Sequence, residues 1–326
     1  MASLLALLEL ASGYQCAKTL FALVESDLPT LLAQEPLSVE QIARQLRIHP
    51  VAADRFLNAC VALGLLERCG DRFRNAPVTD RFLVRGKASY LGDYFMKHDR
   101  QSFPRWAELM NNLRAWRPGT NATSLPADEE ASARAQHNMA LIVGEALGRA
   151  FDFSAHRRLL DLGGGTGAMS ISLCRAYDRL RAMVFDLPPV IALARRMIRQ
   201  AGLTKRIETR AGDFKNEKLP EGFDVILLAN LLSTASEKTN RRLFRRLYAS
   251  LPANGCLIIS GWILDDTRTS PLLSVLFCLE DICWRAPDVE RAATTYRAWL
   301  SDAGFTQITH QTYCPPTSMI VARKTV

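Results

Sequence analysis

Three carboxylates stand where binding chemistry could be done. In "LLDLGGGTGAMS" (159–170), Asp161 heads a loop containing Gly163, Gly165 and Gly167. Glycines there let the backbone turn sharply after a strand and let a ligand approach the main chain. Asp186 follows in "VFDLP", 25 residues after Asp161, and Asp213 in "AGDF". An acid at the head of such a loop welcomes a cation and repels a pyrophosphate. Asp186 is placed to accept hydrogen bonds from ribose hydroxyls, and Asp213 to lie near an adenine amino group. Leu187 and Phe214, the residues next to them, complete the candidate cofactor set. Gly163, Gly165 and Ala168 also satisfy a nicotinamide-type G-x-G-x-x-A pattern, which alone is a weak signal. No strand end offers a phosphate-binding lysine. The set suits a nucleoside with a positively charged amino-acid tail.

These acids need strand ends to hold them. From residue 158 the pattern alternates: "RRLLDL", "RAMVFD", "RIETRAGDF", "FDVILLANLL" and "GCLIISGWIL" read as strands. "AMSISLCRAY", "VIALARRMIRQAG" and "NRRLFRRLYASL" read as the helices between them. Such alternation predicts an α/β fold with a parallel, doubly wound sheet. The tail, "FTQITHQTYCPPTSMIVARK", adds two strands about a Pro-Pro turn, an antiparallel ending.

The first hundred residues differ. An apolar stripe at Leu4, Leu5, Leu8, Leu20 and Leu23 predicts helix over 3–34. Ser38 and Gln41 have capping-box spacing and open a short helix through Ala43. A second helix carries Phe56, Leu57, Cys60 and Leu63 on one face, and a Gly-Asp turn joins two short β-like runs in "RCGDRFRN". Helix, turn, helix and hairpin make a winged helix-turn-helix. Reading DNA would need a basic surface, but residues 1–100 hold 12 Lys and Arg against 11 Asp and Glu. Dimerisation is the preferred role, with no nucleic acid as partner. The boundaries expected are 1–100 for this domain, 101–150 for connecting helices with a loop at 117–130, and 151–326 for the cofactor domain.

The composition sets limits. A chain of 326 residues, 48% apolar, has ample core for this plan. No apolar run of about 18 residues predicts a membrane span. The N-terminal segment lacks a basic n-region and carries Glu9, so a cytoplasmic protein without a cleaved signal is expected. The eight cysteines show no C-x-x-C pair and read as buried free thiols, with no metal-ligand cluster.

"DLGGGTG", "FDLPPVI", "AGDF", "DVERA" (288–292) and "LSDAGF" (300–305) occur in an order and spacing that resemble one family over roughly residues 10–322. It is the S-adenosyl-L-methionine-dependent O-methyltransferases of plant caffeic acid and bacterial polyketide type. The resemblance implies a Rossmann-like catalytic domain, an N-terminal winged-helix dimerisation domain, and a homodimer whose N-terminal helices help close the partner's active site. It also implies S-adenosyl-L-methionine as cofactor and a small-molecule acceptor from secondary metabolism.

One part of the family pattern is missing. Its members carry a histidine base in an L-H-D-W segment after the fourth strand, flanked by two glutamates. Here "LLSTAS" (231–236) puts Ser233 at the histidine's place, Thr234 at the aspartate's and Ala235 at the tryptophan's. Gly261 replaces the first glutamate, and Glu290 matches the second. An unperturbed phenol, with a pKa of about 10, needs help to lose its proton at neutral pH. Three routes stay open. The acceptor needs little deprotonation (a thiol, amine, thioether or carbon), or His98 or His137 serves as a relocated base. Alternatively, the cofactor's charge steers a decarboxylation, hydroxylation or pericyclic reaction without methyl transfer. His49, His156 and His310 are expected to be structural. The acceptor pocket is expected to be apolar, drawn from Tyr94, Phe95, Phe103, Trp106, Met139, Trp262 and Trp284.

Overall fold

The structure, a computed structural model, describes residues 3–116, 129–284 and 291–325, without the side chains of 129–135. The chain divides into two compact units, residues 1–107 with 126–139 and residues 108–125 with 140–326.

The N-terminal unit runs α1 (Leu4–Ala11), α2 (Gly13–Glu25), α3 (Leu28–Leu32), β1 (Leu37–Ser38), α4 (Val39–Leu46), α5 (Pro50–Ala62), β2 (Leu66–Cys69), β3 (Arg72–Asn75), α6 (Pro77–Phe82), α7 (Gly92–Lys97) and α8 (Phe103–Ala107). The capping box forms as its spacing predicts: Gln41 N–H donates to Ser38 Oγ, and Ser38 N–H donates to Gln41 Oε1 at 2.8 Å. The helix runs three residues beyond Ala43, to Leu46, before Arg47 turns left-handed. Leu57 and Cys60 are buried with Leu23, Ile42 and Phe73, whereas Leu63, expected on that face, is 39% exposed past the helix end. His49 caps α5 through its Nδ1. The strands order β1-β3-β2, the winged arrangement. Helix α1 buries none of its own residues; Leu4, Leu5, Leu7, Leu8 and Leu10 are each more than half exposed.

The C-terminal unit contains α9 (Leu109–Ala115), and α10 (Glu129–Ala150) belongs partly to each unit. Then follow β4 (Arg158–Leu162), α11 (Ala168–Ala176), β5 (Arg181–Asp186), α12 (Pro188–Gln200), β6 (Ile207–Ala211), β7 (Val225–Ala229), α13 (Glu237–Ser250), β8 (Cys256–Gly261), α14 (Leu272–Cys283), α15 (Ala293–Asp302), β9 (Thr306–Cys314) and β10 (Thr317–Arg323). Residues 117–128 of the expected loop at 117–130 lie outside the described residues.

The seven strands order β6-β5-β4-β7-β8-β10-β9, parallel through β8, with β10 antiparallel to both β8 and β9. This is the expected doubly wound α/β sheet with its antiparallel hairpin. Period-two alternation builds two cores. Leu160, Leu162, Ile226, Leu228, Leu257 and Ile259 face α13 and α15, packing with Phe244 and Trp299. Leu159, Val184, Val225, Leu227, Cys256 and Ile258 face α10, α11 and α12. Because both faces are covered, β7 and β8 read as unbroken apolar runs. The strand order reverses at β4, so ligands belong beyond the carboxyl ends of β4, β5 and β7.

The expectation of buried thiols holds for Cys60, Cys174, Cys256 and Cys283; Cys16 and Cys69 are exposed, and all eight are free. Cys69 ends the wing strand β2, and Cys16 lies exposed in the first turn of α2, so apolar neighbours in sequence did not mean burial. Among the described residues no helix is long and apolar enough to cross a membrane.

Candidate cofactor and active site

Strand β4 delivers Asp161 one residue before its end, and the chain then turns through Gly163–Gly167 into α11. Gly165 holds φ +57°, and a Cβ there would meet nothing within 4 Å, so that side of the loop is open. Gly164 faces inward: a Cβ would lie 2.6 Å from the Asp161 carboxyl carbon. Asp161 is fully buried beneath the loop. Ser170, one turn into α11, donates its hydroxyl to Asp161 Oδ2 at 2.6 Å, while Oδ1 is buried with no partner among the described residues. Burial pushes the carboxyl up to about 6; the Asp186 charge adds to the rise, and the Ser170 hydroxyl opposes it.

Asp186 ends β5 beside the loop. Its Oδ2 accepts from Gly165 N–H at 2.8 Å and its Oδ1 from Leu187 N–H at 2.7 Å. Burial raises this carboxyl as well, against those two amide donors. Its carbonyl accepts from Gly212 N–H at 2.9 Å, which ties the β6 end alongside. Asp213 opens a tight turn after β6: its carboxylate accepts from Lys215 N–H and Asn216 Nδ2, and its own N–H donates to Glu217 Oε1. Phe214 packs against the core under α13. The structure therefore brings Asp161, Gly163, Gly165, Gly167, Asp186, Leu187, Asp213 and Phe214 to adjacent strand ends.

Beyond β7 the chain turns sharply. Asn230 takes φ +52°, a left-handed conformation rare outside glycine, and Asn230 N–H donates to the Ser260 carbonyl at 2.9 Å. Leu231 sits under the glycine loop, close enough that a Cβ on Gly163 would fall 2.4 Å from it. A single helical turn, Leu232–Thr234, follows. Ser233 is half-buried, and among the described residues its hydroxyl donates to the Asn230 carbonyl at 3.3 Å. Asn240 of α13, fully buried, donates to the Leu232 and Ala235 carbonyls and fixes the turn. Gly261 lies alongside, where a Cβ would approach Asn230 Oδ1 at 3.2 Å.

The other candidates are dispersed. Glu290 lies outside the described residues. Phe95, His98, Phe103, Trp106, His137 and Met139 belong to the N-terminal unit. There the His98 ring meets Tyr94 edge-on at 4.6 Å, and His137 and Met139 are half-buried on α10. Trp262 belongs to the C-terminal unit, against Phe277 at 5.0 Å. Trp284 there donates its indole N–H to Glu280. His156 and His310 fall away from the strand ends, before β4 and within β9. Sequence reasoning missed Ser170, Asn230 and Asn240. A serine nine residues after the strand acid was a legible hint; a left-handed asparagine was not.

Asp161, with one carboxylate oxygen unpartnered among the described residues, and the open flank of Gly165 mark these strand ends as the candidate binding site. Comparison with known proteins gives the class. Residues 118–306 match the O-methyltransferase domain and residues 8–85 the O-methyltransferase dimerisation domain. The chain belongs to the S-adenosylmethionine-dependent O-methyltransferase family, and it is a methyltransferase that uses this cofactor. It is 33% identical to the tetracenomycin polyketide synthesis 8-O-methyl transferase TcmO of Streptomyces glaucescens, covering 98% of this chain and 96% of that one. The N,N-dimethyltransferase OxyT of Streptomyces rimosus is 34% identical, over 92% and 90% of the two chains. Human N-acetylserotonin methyltransferase, solved with S-adenosylmethionine, superposes with a TM-score of 0.84 at 27% identity, over 98% and 97%.

The Asp161 titration can be tested in the cofactor-free protein. A carboxyl raised to about 6 when folded stabilises below its unfolded value, and that contribution is lost as pH rises through 6. Between pH 8 and pH 5 the parent should gain about 1 kcal/mol of unfolding free energy relative to Asp161→Asn. Denaturant unfolding at both pH values measures this; a pH-independent difference would contradict the assignment.

Proposed function

We propose that the ends of β4, β5 and β6 hold S-adenosylmethionine and that methyl transfer at the Asn230–Thr234 turn uses no general base from that turn. Asp161 and the Gly163–Gly167 loop take the methionine end, Asp186 the ribose hydroxyls, and Asp213 with Phe214 the adenine. When bound, the cofactor supplies a methyl group already activated on a sulfonium. What remains for the chain is to align the acceptor, keep water away and leave the acceptor's lone pair free.

One observation carries the second half of the proposal. The Ser233 hydroxyl spends its proton on a backbone carbonyl, with no acid or histidine paired to it among the described residues. A hydroxyl of ordinary basicity cannot draw a proton from a phenol at neutral pH. The acceptor is therefore a hydrophobic small molecule whose nucleophile needs little deprotonation: a thiol, amine, thioether or carbon. An amine has the added support of OxyT, by its name an N,N-dimethyltransferase. A neutral amine attacks through its lone pair, and the resulting ammonium gives up its proton afterwards to water. A second reading, O-methylation with His98 or His137 as base, is supported by TcmO, by its name an 8-O-methyl transferase.

Methyl-labelled cofactor offered with paired aromatic amine, thiol and phenol acceptors separates the two. We expect label on nitrogen or sulfur, with His98→Ala, His137→Ala and Ser233→Ala each retaining kcat within about threefold. Label on phenol oxygen, lost on the order of a hundredfold in either histidine variant, would establish the second reading instead.

We also propose that the chain works as a homodimer through its N-terminal unit. The matched dimerisation domain and the exposed leucines of α1 support this, because contiguous apolar surface of that kind marks an association site. Sedimentation should find a dimer, and Leu5→Glu with Leu8→Glu should shift it toward monomer. A monomeric parent would end the proposal.

A further inference from the structure

The turn proposed to receive the adenine is held from behind by α13. Asp213–Glu217 is a five-residue turn whose carbonyls at 214, 215 and 217 point toward that helix. Arg246 donates from one guanidinium nitrogen to the Phe214 carbonyl at 2.5 Å and from another to the Glu217 carbonyl. Arg242, one helical turn earlier on the same face, donates to the Lys215 carbonyl at 2.6 Å. A planar fork reaching two carbonyls fixes both the distance and the orientation of the turn. Lys215 then reaches on to the Thr234 carbonyl at 3.0 Å, next to Ser233. The same helix anchors the Ser233 turn through Asn240. One helix thus sets both the cofactor turn and the acceptor-side turn.

We propose that Arg246, assisted by Arg242, is a positioning residue that holds the Asp213–Phe214 turn in register for the adenine and so sets base selectivity. The inference rests on the reading that Asp213 and Phe214 face the adenine. Neither arginine touches the reacting atoms. Its effect is confined to how well the turn is preorganised before the nucleoside arrives, since an unclamped turn pays its ordering cost on binding.

The test uses the full-length protein with Arg246→Met, Arg246→Lys and, separately, Asp213→Ala. Two inhibitors are compared: S-adenosylhomocysteine and its 6-oxo purine analogue, S-inosylhomocysteine. Arg246→Met should raise the KM for S-adenosylmethionine about tenfold. It should leave saturated kcat and acceptor KM within about twofold and lower the adenine-over-hypoxanthine preference about tenfold. Arg246→Lys, with one point donor in place of a fork, should recover only part of that preference. If Asp213→Ala abolishes the preference while Arg246→Met keeps it, the clamp is refuted and the adenine assignment stands. If Asp213→Ala leaves the preference intact, the adenine assignment fails, and the clamp fails with it. Should Arg246→Met unfold, Arg242→Met, which gives up a single bond, carries the same comparison with the same outcomes.

Discussion

Everything at the carboxyl edge of the sheet depends on one buried carboxyl group. Asp161 lies fully buried under the glycine loop, with Ser170 as its hydrogen-bond partner among the described residues. Its placement forbids any side chain at Gly164, so the loop must pass close over it. That close passage presents the Gly165 amide to Asp186, and Asp186 in turn holds the start of the β6 turn through Gly212. Three strand ends are thereby registered by two carboxylates and a run of backbone amides. The cost is charge in a dry place, visible as the upward displacement of both acids. A site that binds a cation recovers part of that cost only when loaded, a common reason for active sites to be locally unstable when empty.

Much of the fold was legible because the signals were strong and redundant. "VILLA" and "CLIISG" are too short for helices and too apolar for a one-sided strand, and both became interior strands. The capping box at Ser38, the Gly-Asp wing turn and the Pro-Pro hairpin each named their own geometry before any tertiary context was known. Boundaries were less legible: α4 overran its expected end because nothing in "RQL" opposes a helix until Arg47 adopts a left-handed cap. The burial of cysteines was over-read, because an apolar neighbourhood in sequence is not an interior position in space.

The acids proposed to hold the cofactor were placed at strand ends for the same reason, since acids at the ends of apolar runs announce strand ends. The acceptor side was not legible. Its candidate residues lie far apart along the chain, His98 and His137 with most of the aromatics in the N-terminal unit and Trp262 and Trp284 in the C-terminal one, and sequence spacing says nothing of their reach. The Ser170 hydroxyl, the left-handed Asn230 and the arginines of α13 act through backbone atoms or buried contacts, which leave no motif. "RRLFRR" (241–246) matches no binding motif, yet two of its arginines, Arg242 and Arg246, donate to backbone carbonyls of a neighbouring turn.

The position of β10 bears on how such a chain comes to be made. Residues 317–323 form an interior strand between β8 and β9, and not an edge. While a ribosome is still extending the polypeptide, β8 exposes an open hydrogen-bonding margin beside a fully apolar surface. That margin is a template for pairing with other nascent chains. Completion of the sheet therefore waits on β10, which follows every other strand of this sheet in the chain, and until it pairs the nascent chain carries that open margin.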